Sequence, residues 1–366
     1  MKFFKLLRED FSQTDRILFF TALILGFWGI FCIYSASGNF DFALRQLSWF
    51  FVSITAMLII MITGHKKLFE GAYPLYGLML LLLFLTSLLA PKVKGAQSWL
   101  GFGGIRFQPS EFAKIAIILM LSKFFNRYPP LNFKTFMIGL GMIMPPVILV
   151  LLQPDAGSAL VYLVISFGML IAAGTPFIYL GGLVGLGLSA IPPLYFFALK
   201  EYQRNRILVF LDPMRDPLGA GYNVIQSRIA VGSGGFAGKG FMMGTQSKLK
   251  FLPEPHTDFI FSVFSEEFGF IGNIILIILL AILLFRVINA GLRSKDRRCK
   301  IFVAGVTSWL WFQIFESIGM SIGIVPVTGL PLPFLSYGGS SLLAIFMALG
   351  IVMSIYIEGA NNRNVL

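Results

Sequence analysis

Apolar runs of about 20 residues recur along nearly the whole chain, each long enough to cross roughly 30 Å of hydrocarbon as a helix. They predict ten spans, near 16–36, 44–64, 71–90, 109–125, 134–153, 156–174, 176–199, 258–287, 301–324 and 338–358. Only 13% of the residues are charged, against about 25% in a soluble domain. Length alone would suit two soluble domains. The continuity of the runs, with a mean hydropathy of +0.81, argues instead for one integral membrane domain over 1–366. The expected class is an all-α polytopic membrane protein.

An even number of spans puts both termini on one side. Loops on that side collect Lys66, Lys67, Lys123, Arg127, Lys134 and the run from Arg293 to Arg298, so that side is expected to be cytoplasmic. The segment 200–257 then lies outside as a large extracytoplasmic loop between spans 7 and 8. The net charge of +12 serves topology here and does not call for nucleic acid. The outer loop nevertheless carries Lys200, Arg204, Arg206, Arg215, Arg228, Lys239, Lys248 and Lys250. Two readings fit: long loops translocate regardless of charge, or these cations meet an anionic ligand such as a diphosphate. Cys32 lies in a span and Cys299 in a basic loop, at different depths, so no disulfide is expected. The only histidines, His65 and His256, form no metal-site spacing. The run after Arg16 shows no cleavage pattern and reads as a retained first helix.

Several polar residues could carry chemistry. Asp258 stands where the outer loop meets the eighth span. Counted along a helix from Asp258, Ser262, Ser265 and Gly269 share its face. That stripe can line a water-filled cavity with the acid as a base, or Asp258 can simply complement a helix dipole. Glu111 and Lys114, three apart on the fourth span, read as an intrahelical ion pair or as a ligand-facing pair. Asp155, with Ser158 three residues on, reads as a helix cap near the outer face. Glu316 is a lone acid within the ninth span. The segment 326–341 holds too many Pro and Gly for a helix and must be enclosed by protein or water. Residues 221–232 suit an interfacial helix. The glycine-rich run 232–240 permits close backbone approach to a ligand, but lacks Walker spacing. Trp49 and Trp99 suit interfacial anchors.

Six segments, in order across most of the chain, resemble the SEDS (shape, elongation, division and sporulation) family, the group of RodA and FtsW proteins. They are Gly-Ala-Gln-Ser-Trp-Leu at 95–100, Gln-Pro-Ser-Glu-Phe-Ala-Lys at 108–114 and Gln-Pro-Asp-Ala-Gly-Ser at 153–158. Gly-Tyr-Asn-Val-Ile-Gln-Ser-Arg follows at 221–228, Pro-Glu-Pro-His-Thr-Asp-Phe-Ile-Phe at 253–261, and the Pro- and Gly-rich run at 326–340. Each alone is modest; the ordered set is specific. The resemblance implies a peptidoglycan glycosyltransferase of the bacterial cytoplasmic (inner) membrane, its active site facing outward. It would polymerise lipid II beside a class B penicillin-binding protein transpeptidase and other elongation-complex membrane proteins. Asp258 matches the family's essential acid, Glu111 and Lys114 its conserved pair, and Asp155 its second outward acid. Ser98 and Ser317 depart from the family's usual Arg and Asn, which puts any role of those positions in doubt.

On that reading one lipid II is donor and a second acceptor, and Asp258 is the general base. Diphosphate departure needs positive charge from Lys114, from Arg206 or Arg228, or from a divalent cation (Mg or Mn). Lys239, Ser262, Glu111 and Asp155 complete the expected substrate-binding set. Two rival classes stay open, a lipid II flippase and a non-catalytic scaffold for the transpeptidase. Polar residues concentrated at the outer face favour surface chemistry over transport. The first span starts at Arg16 and the tenth ends shortly before the last residue, which favours elongation over division.

Overall fold

Asp15 opens the first helix by accepting the Leu18 N–H at 3.1 Å, and Gly38, left-handed at φ 62°, closes it. Asn39 then caps the next helix through the Asp41 N–H at 2.8 Å, so two residues suffice to reverse the chain. Similar caps set the rest of the bundle: Asn132 bonds the Thr135 N–H and Asp155 the Ser158 N–H, both at 2.9 Å.

The computed structural model describes residues 13–91, 97–102, 105–198, 201–249 and 251–364. Lys200, Lys250 and the first two residues of the 95–100 motif lie outside them, as does the side chain of Arg206. The helices are α1 (Arg16–Ser37), α2 (Phe40–Thr63), α3 (His65–Glu70), α4 (Ala72–Leu89), α5 (Pro109–Arg127), α6 (Phe133–Leu152) and α7 (Ala156–Ala172). They continue as α8 (Phe177–Pro193), α9 (Glu201–Leu211), α10 (Ala220–Ser233), α11 (Thr245–Lys248), α12 (Ile260–Arg293), α13 (Arg297–Ile322) and α14 (Gly339–Asn364). Every expected span is a helix. Eight of them, α1, α2, α4, α6, α8 with its π-helical extension, α12, α13 and α14, are long and apolar enough to cross a membrane. The 17-residue α7 is apolar but shorter. Charged α5 sits among the others, with Ala113 and Ile115 through Leu121 all buried.

Two features were not legible from the apolar pattern. A short antiparallel pair, β1 (Leu100–Phe102) and β2 (Ile105–Phe107), precedes α5. Cys299 stands in the buried first turn of α13 rather than in a loop, because Asp296 caps that helix through the Arg298 N–H at 2.8 Å. Cys32 and Cys299 are both free thiols.

The glycine-rich run also serves a different purpose from the one expected. α12 is broken at Gly269, whose φ of 63° and ψ of −160° leave the helical region. The break frees two carbonyls and two amides. Glu266 O accepts the Lys239 N–H and Glu267 O the Gly240 N–H, both at 3.0 Å. The Phe270 N–H donates to Gly235 O at 2.9 Å and the Ile271 N–H to Phe236 O at 3.1 Å. The close approach that this loop makes in the structure is to α12. The buried Glu266 carboxylate binds Lys239 Nζ at 2.6 Å and the Thr245 N–H at 2.8 Å, which ties the same loop to the start of α11.

A Cβ at Gly269 would lie 2.3 Å from Gly238 N, whereas one at Gly187 in α8 meets nothing within 4 Å. Gly269→Ala combines that overlap with a backbone region open mainly to glycine, and should cost more than about 3 kcal/mol. Gly187→Ala should be neutral or stabilise by up to about 1 kcal/mol. Thermal unfolding of the two purified variants in detergent measures the difference.

Candidate active site

Asp258 lies in the turn before α12, half-buried, two residues ahead of the first helical residue. The turn is bent at Glu254, left-handed at φ 46°, whose carbonyl accepts the Thr257 N–H at 3.3 Å and the Phe259 N–H at 3.4 Å. Its other carbonyls are tied to a distant segment. The Tyr337 N–H donates to His256 O at 2.9 Å, and Ser336 Oγ donates to Thr257 O at 2.7 Å. Ser336 Oγ also accepts the Leu332 N–H at 2.8 Å. From α2, Gln46 Oε1 accepts the Gly338 N–H at 3.2 Å, and Phe42 lies 4.8 Å from the His256 ring. Asp258 is thus placed by α2 and residues 332–338 together.

The segment 326–338 is irregular, as its Pro and Gly content requires, and it is enclosed by protein. Leu330, Leu332, Phe334 and Leu335 are all buried. Glu316 on α13, 2% exposed, accepts the Thr328 hydroxyl on Oε1. Next along the chain, Gly329 turns left-handed at φ 78°, and a Cβ there would sit 3.4 Å from Asp258 Oδ2. On another side, a Cβ at Gly157 would lie 3.1 Å from Leu330 and 3.5 Å from Thr328 O. The start of α7 therefore packs against the same turn that faces Asp258.

The ion pair on α5 is formed: Lys114 Nζ lies 2.6 Å from Glu111 Oε1, and Lys114 is wholly enclosed. Its ammonium also stands 5.0 Å from the Trp309 ring of α13. Tyr162 of α7 donates to Ser110 O at 2.8 Å, which binds α7 to the first turn of α5. Asp155 caps α7, accepting the Ser158 N–H at 2.9 Å and its hydroxyl at 2.7 Å. Burial pushes the Asp155 carboxyl above its ordinary range, against the lowering pull of those Ser158 bonds. Between α5 and α13 runs a buried polar seam. Within it Glu111 Oε2, Ser110 Oγ, Gln313 Nε2, Glu316 Oε2 and Ser317 Oγ have no protein partner.

Other expected ligands are occupied elsewhere. Ser262 does not extend a stripe from Asp258, because α12 starts only at Ile260. Its hydroxyl is buried at 2.7 Å from Ser227 Oγ, which donates in turn to Ser321 O at 2.7 Å. Ser265 bonds Phe261 O at 2.7 Å and Asn273 Oδ1 at 3.0 Å. Ser227 and Ser262 thus join α10, α12 and α13 where they cross, while the two bonds of Ser265 stay within α12. Arg228, exposed on α10, donates to Gly323 O at the end of α13 at 3.1 Å. Lys239 belongs to the break in α12. Trp49 packs against Gly339, where a Cβ would lie 2.4 Å from the indole. Among the described residues no three His, Cys, Asp or Glu side chains gather to hold a metal ion.

The motif segments nonetheless converge. Gln97 N–H donates to Gln153 O at 3.3 Å, and the Gln108 N–H to Ser340 Oγ at 3.3 Å. With the contacts above, pieces of all six run to one end of the bundle. Sequence reading missed Gln46, Thr328, Gly329 and Ser336 as builders of this end. The density of Pro and Gly at 326–341 was the signal for three of them; Gln46, an amide inside an apolar span, was the signal for the fourth.

Comparison with known proteins gives the same grouping. The FtsW/RodA/SpoVE family profile, described as a cell cycle protein, matches residues 15–361. The peptidoglycan glycosyltransferase MrdB of Escherichia coli K12 is 41% identical over 352 residues, covering 95% of this chain and 94% of that protein. Stage V sporulation protein E of Bacillus subtilis is 37% identical over 369 residues, covering 94% and 97%. A chain from a peptidoglycan synthase complex, studied for its coordination of polymerization and crosslinking, superposes with a TM-score of 0.83 at 36% identity, covering 94% of this chain and 98% of that one. The crystal structure of the Thermus thermophilus rod shape determining protein RodA gives 0.72 at 31%, covering 94% and 96%. The chain belongs to the FtsW/RodA/SpoVE family of cell cycle proteins.

Proposed function

We propose that this chain is a peptidoglycan glycosyltransferase that polymerises lipid II at the outer face of the bacterial cytoplasmic membrane during cell elongation. The observation that carries the reading is the convergence of the motif segments on the turn holding Asp258. The similarity to MrdB, named a peptidoglycan glycosyltransferase, supports the same chemistry. The side is argued from charge: Lys66, Lys67, Arg293 and Arg297 lie at the opposite end of the bundle from Asp258 and mark it as cytoplasmic.

The donor carries its diphosphate on an α-linked muramyl carbon, and the acceptor attacks through a glucosamine 4-OH. As the new C–O bond forms, the bond to the diphosphate oxygen breaks and the hydroxyl proton passes to the Asp258 carboxylate. One displacement turns α into β, so no covalent glycosyl-enzyme is needed. The departing diphosphate takes negative charge that the exposed guanidinium of Arg228, which also donates to Gly323 O, is suited to neutralise. Lys114 is enclosed, so its part is to hold α5 with Glu111 and Trp309 behind the acid. A divalent ion accompanying the diphosphate would supply further positive charge at the leaving group. The partner is a class B penicillin-binding protein, in keeping with the synthase complex to which a structural neighbour belongs. A second reading, lipid II transport, draws on the polar seam between α5 and α13.

Asp258→Ala should lower polymer formation by at least about 100-fold with its Tm unchanged, the size expected for loss of a general base. It is measured on purified protein given lipid II and its transpeptidase; polymerisation at the wild-type rate would rule out the assignment. Lys114→Met leaves Glu111 charged, buried and alone, and should destabilise by about 3–5 kcal/mol. The double variant Glu111→Gln, Lys114→Met should regain most of that stability, read as detergent Tm. Chelation by EDTA followed by Mg or Mn titration of the same assay reads any ion carried in with the diphosphate.

A further inference from the structure

An acid buried within a spanning helix is costly and calls for a partner and a purpose. Glu316 is such an acid, and the glycosyl-transfer chemistry above does not use it. Its Oε1 accepts the Thr328 hydroxyl. That bond makes a clamp: it ties the side chain of Thr328, in the irregular segment, to a carboxylate held on α13 twelve residues earlier. Its other oxygen, Oε2, is buried without a protein partner, so the group is not spent on a second helix contact.

The residue after the clamp is Gly329. Its left-handed φ of 78° turns the chain so that its Cα faces Asp258, with Oδ2 within 3.4 Å of where a Cβ would stand. The turn is therefore a wall one residue thick. Glu316 holds one side through Thr328, and Asp258 lies on the other beside Gly329. Gly157 and Leu330 close the flank. The Asp258 turn is already tied down at His256 and Thr257 through Tyr337 and Ser336. What those ties leave unset is the wall beside the carboxylate itself.

We infer that Glu316 is a positioning residue for glycosyl transfer, clamping Thr328 so that the turn at Gly329 holds the Asp258 carboxylate in place. The inference rests on the proposed polymerase activity. Losing the clamp lets the wall shift, and misplacement of a reacting group by about 1 Å can cost on the order of 100-fold in rate. Substrate binding, which spreads over much of the outer face, changes far less. The clamp needs an acceptor at Oε1, not a charge, so an amide can serve in part.

The test is steady-state lipid II polymerisation by the purified full chain with its transpeptidase. It compares Glu316→Leu, Glu316→Gln and Thr328→Val with wild type, each checked by size exclusion and Tm. Thr328→Val removes one hydroxyl from a half-buried loop and leaves α13 untouched, so it reports even where Glu316→Leu does not fold. Expected is a fall in kcat of about 10- to 100-fold for Thr328→Val and Glu316→Leu, with KM within about threefold. Glu316→Gln should recover at least about tenfold of what the leucine variant loses. Wild-type kcat in Thr328→Val, a loss confined to KM, or a glutamine variant as slow as the leucine one would each overturn the clamp. An inactive wild-type complex would instead overturn the polymerase reading, and the inference with it.

Discussion

Away from water, a backbone N–H or C=O that leaves its helix has to find another partner inside the protein. The long helices meet that demand internally. Where the described chain departs from helix, other segments close the departure, as three cases show. The break at Gly269 is filled by carbonyls and amides from 235–240. The turn before Asp258 is filled by Tyr337 and Ser336. The segment 326–338 is held in return by Gln46, Ser336 and Glu316. An acid can therefore sit in a turn at the end of the bundle and still be held as firmly as one on a helix.

That arrangement explains why the motifs are scattered in sequence yet meet in space. Gly157 is small because α7 must approach Leu330 and Thr328 O. Gly329 supplies a left-handed turn beside the acid. Lys114 and Glu111 sit behind this layer, where a buried pair with Trp309 above the ammonium keeps α5 in register with α13. Removing one member of that pair differs from removing both, because a lone buried charge has no compensation.

The helical spans were legible because hydrophobic length is a one-dimensional property. The Asp155–Ser158 cap and the Glu111–Lys114 pair were legible because both partners lie within one turn. What the sequence hid depends on contacts between distant segments. Counting a helical face from Asp258 to Ser262 failed because α12 begins only at Ile260, and Ser262 turned out to be bonded to Ser227, 35 residues away. The glycine run looked like a ligand cradle because glycine permits close approach, but sequence does not say to what. Lys239 looked free for a phosphate until Glu266 was placed beside it. The hairpin at 100–107 is too short for alternation to stand out, and Glu316 found its partner twelve residues on, in a segment whose path no periodicity describes.

The central claim is that this constellation makes glycosidic bonds and does not merely carry the lipid across. The most direct measurement uses purified chain and transpeptidase in liposomes containing lipid II, with glycan polymer and transbilayer movement of a labelled lipid II followed in the same sample. The account predicts β-linked polymer from a donor inverted at the muramyl carbon. Rapid movement of lipid II between leaflets with no polymer formed would contradict it.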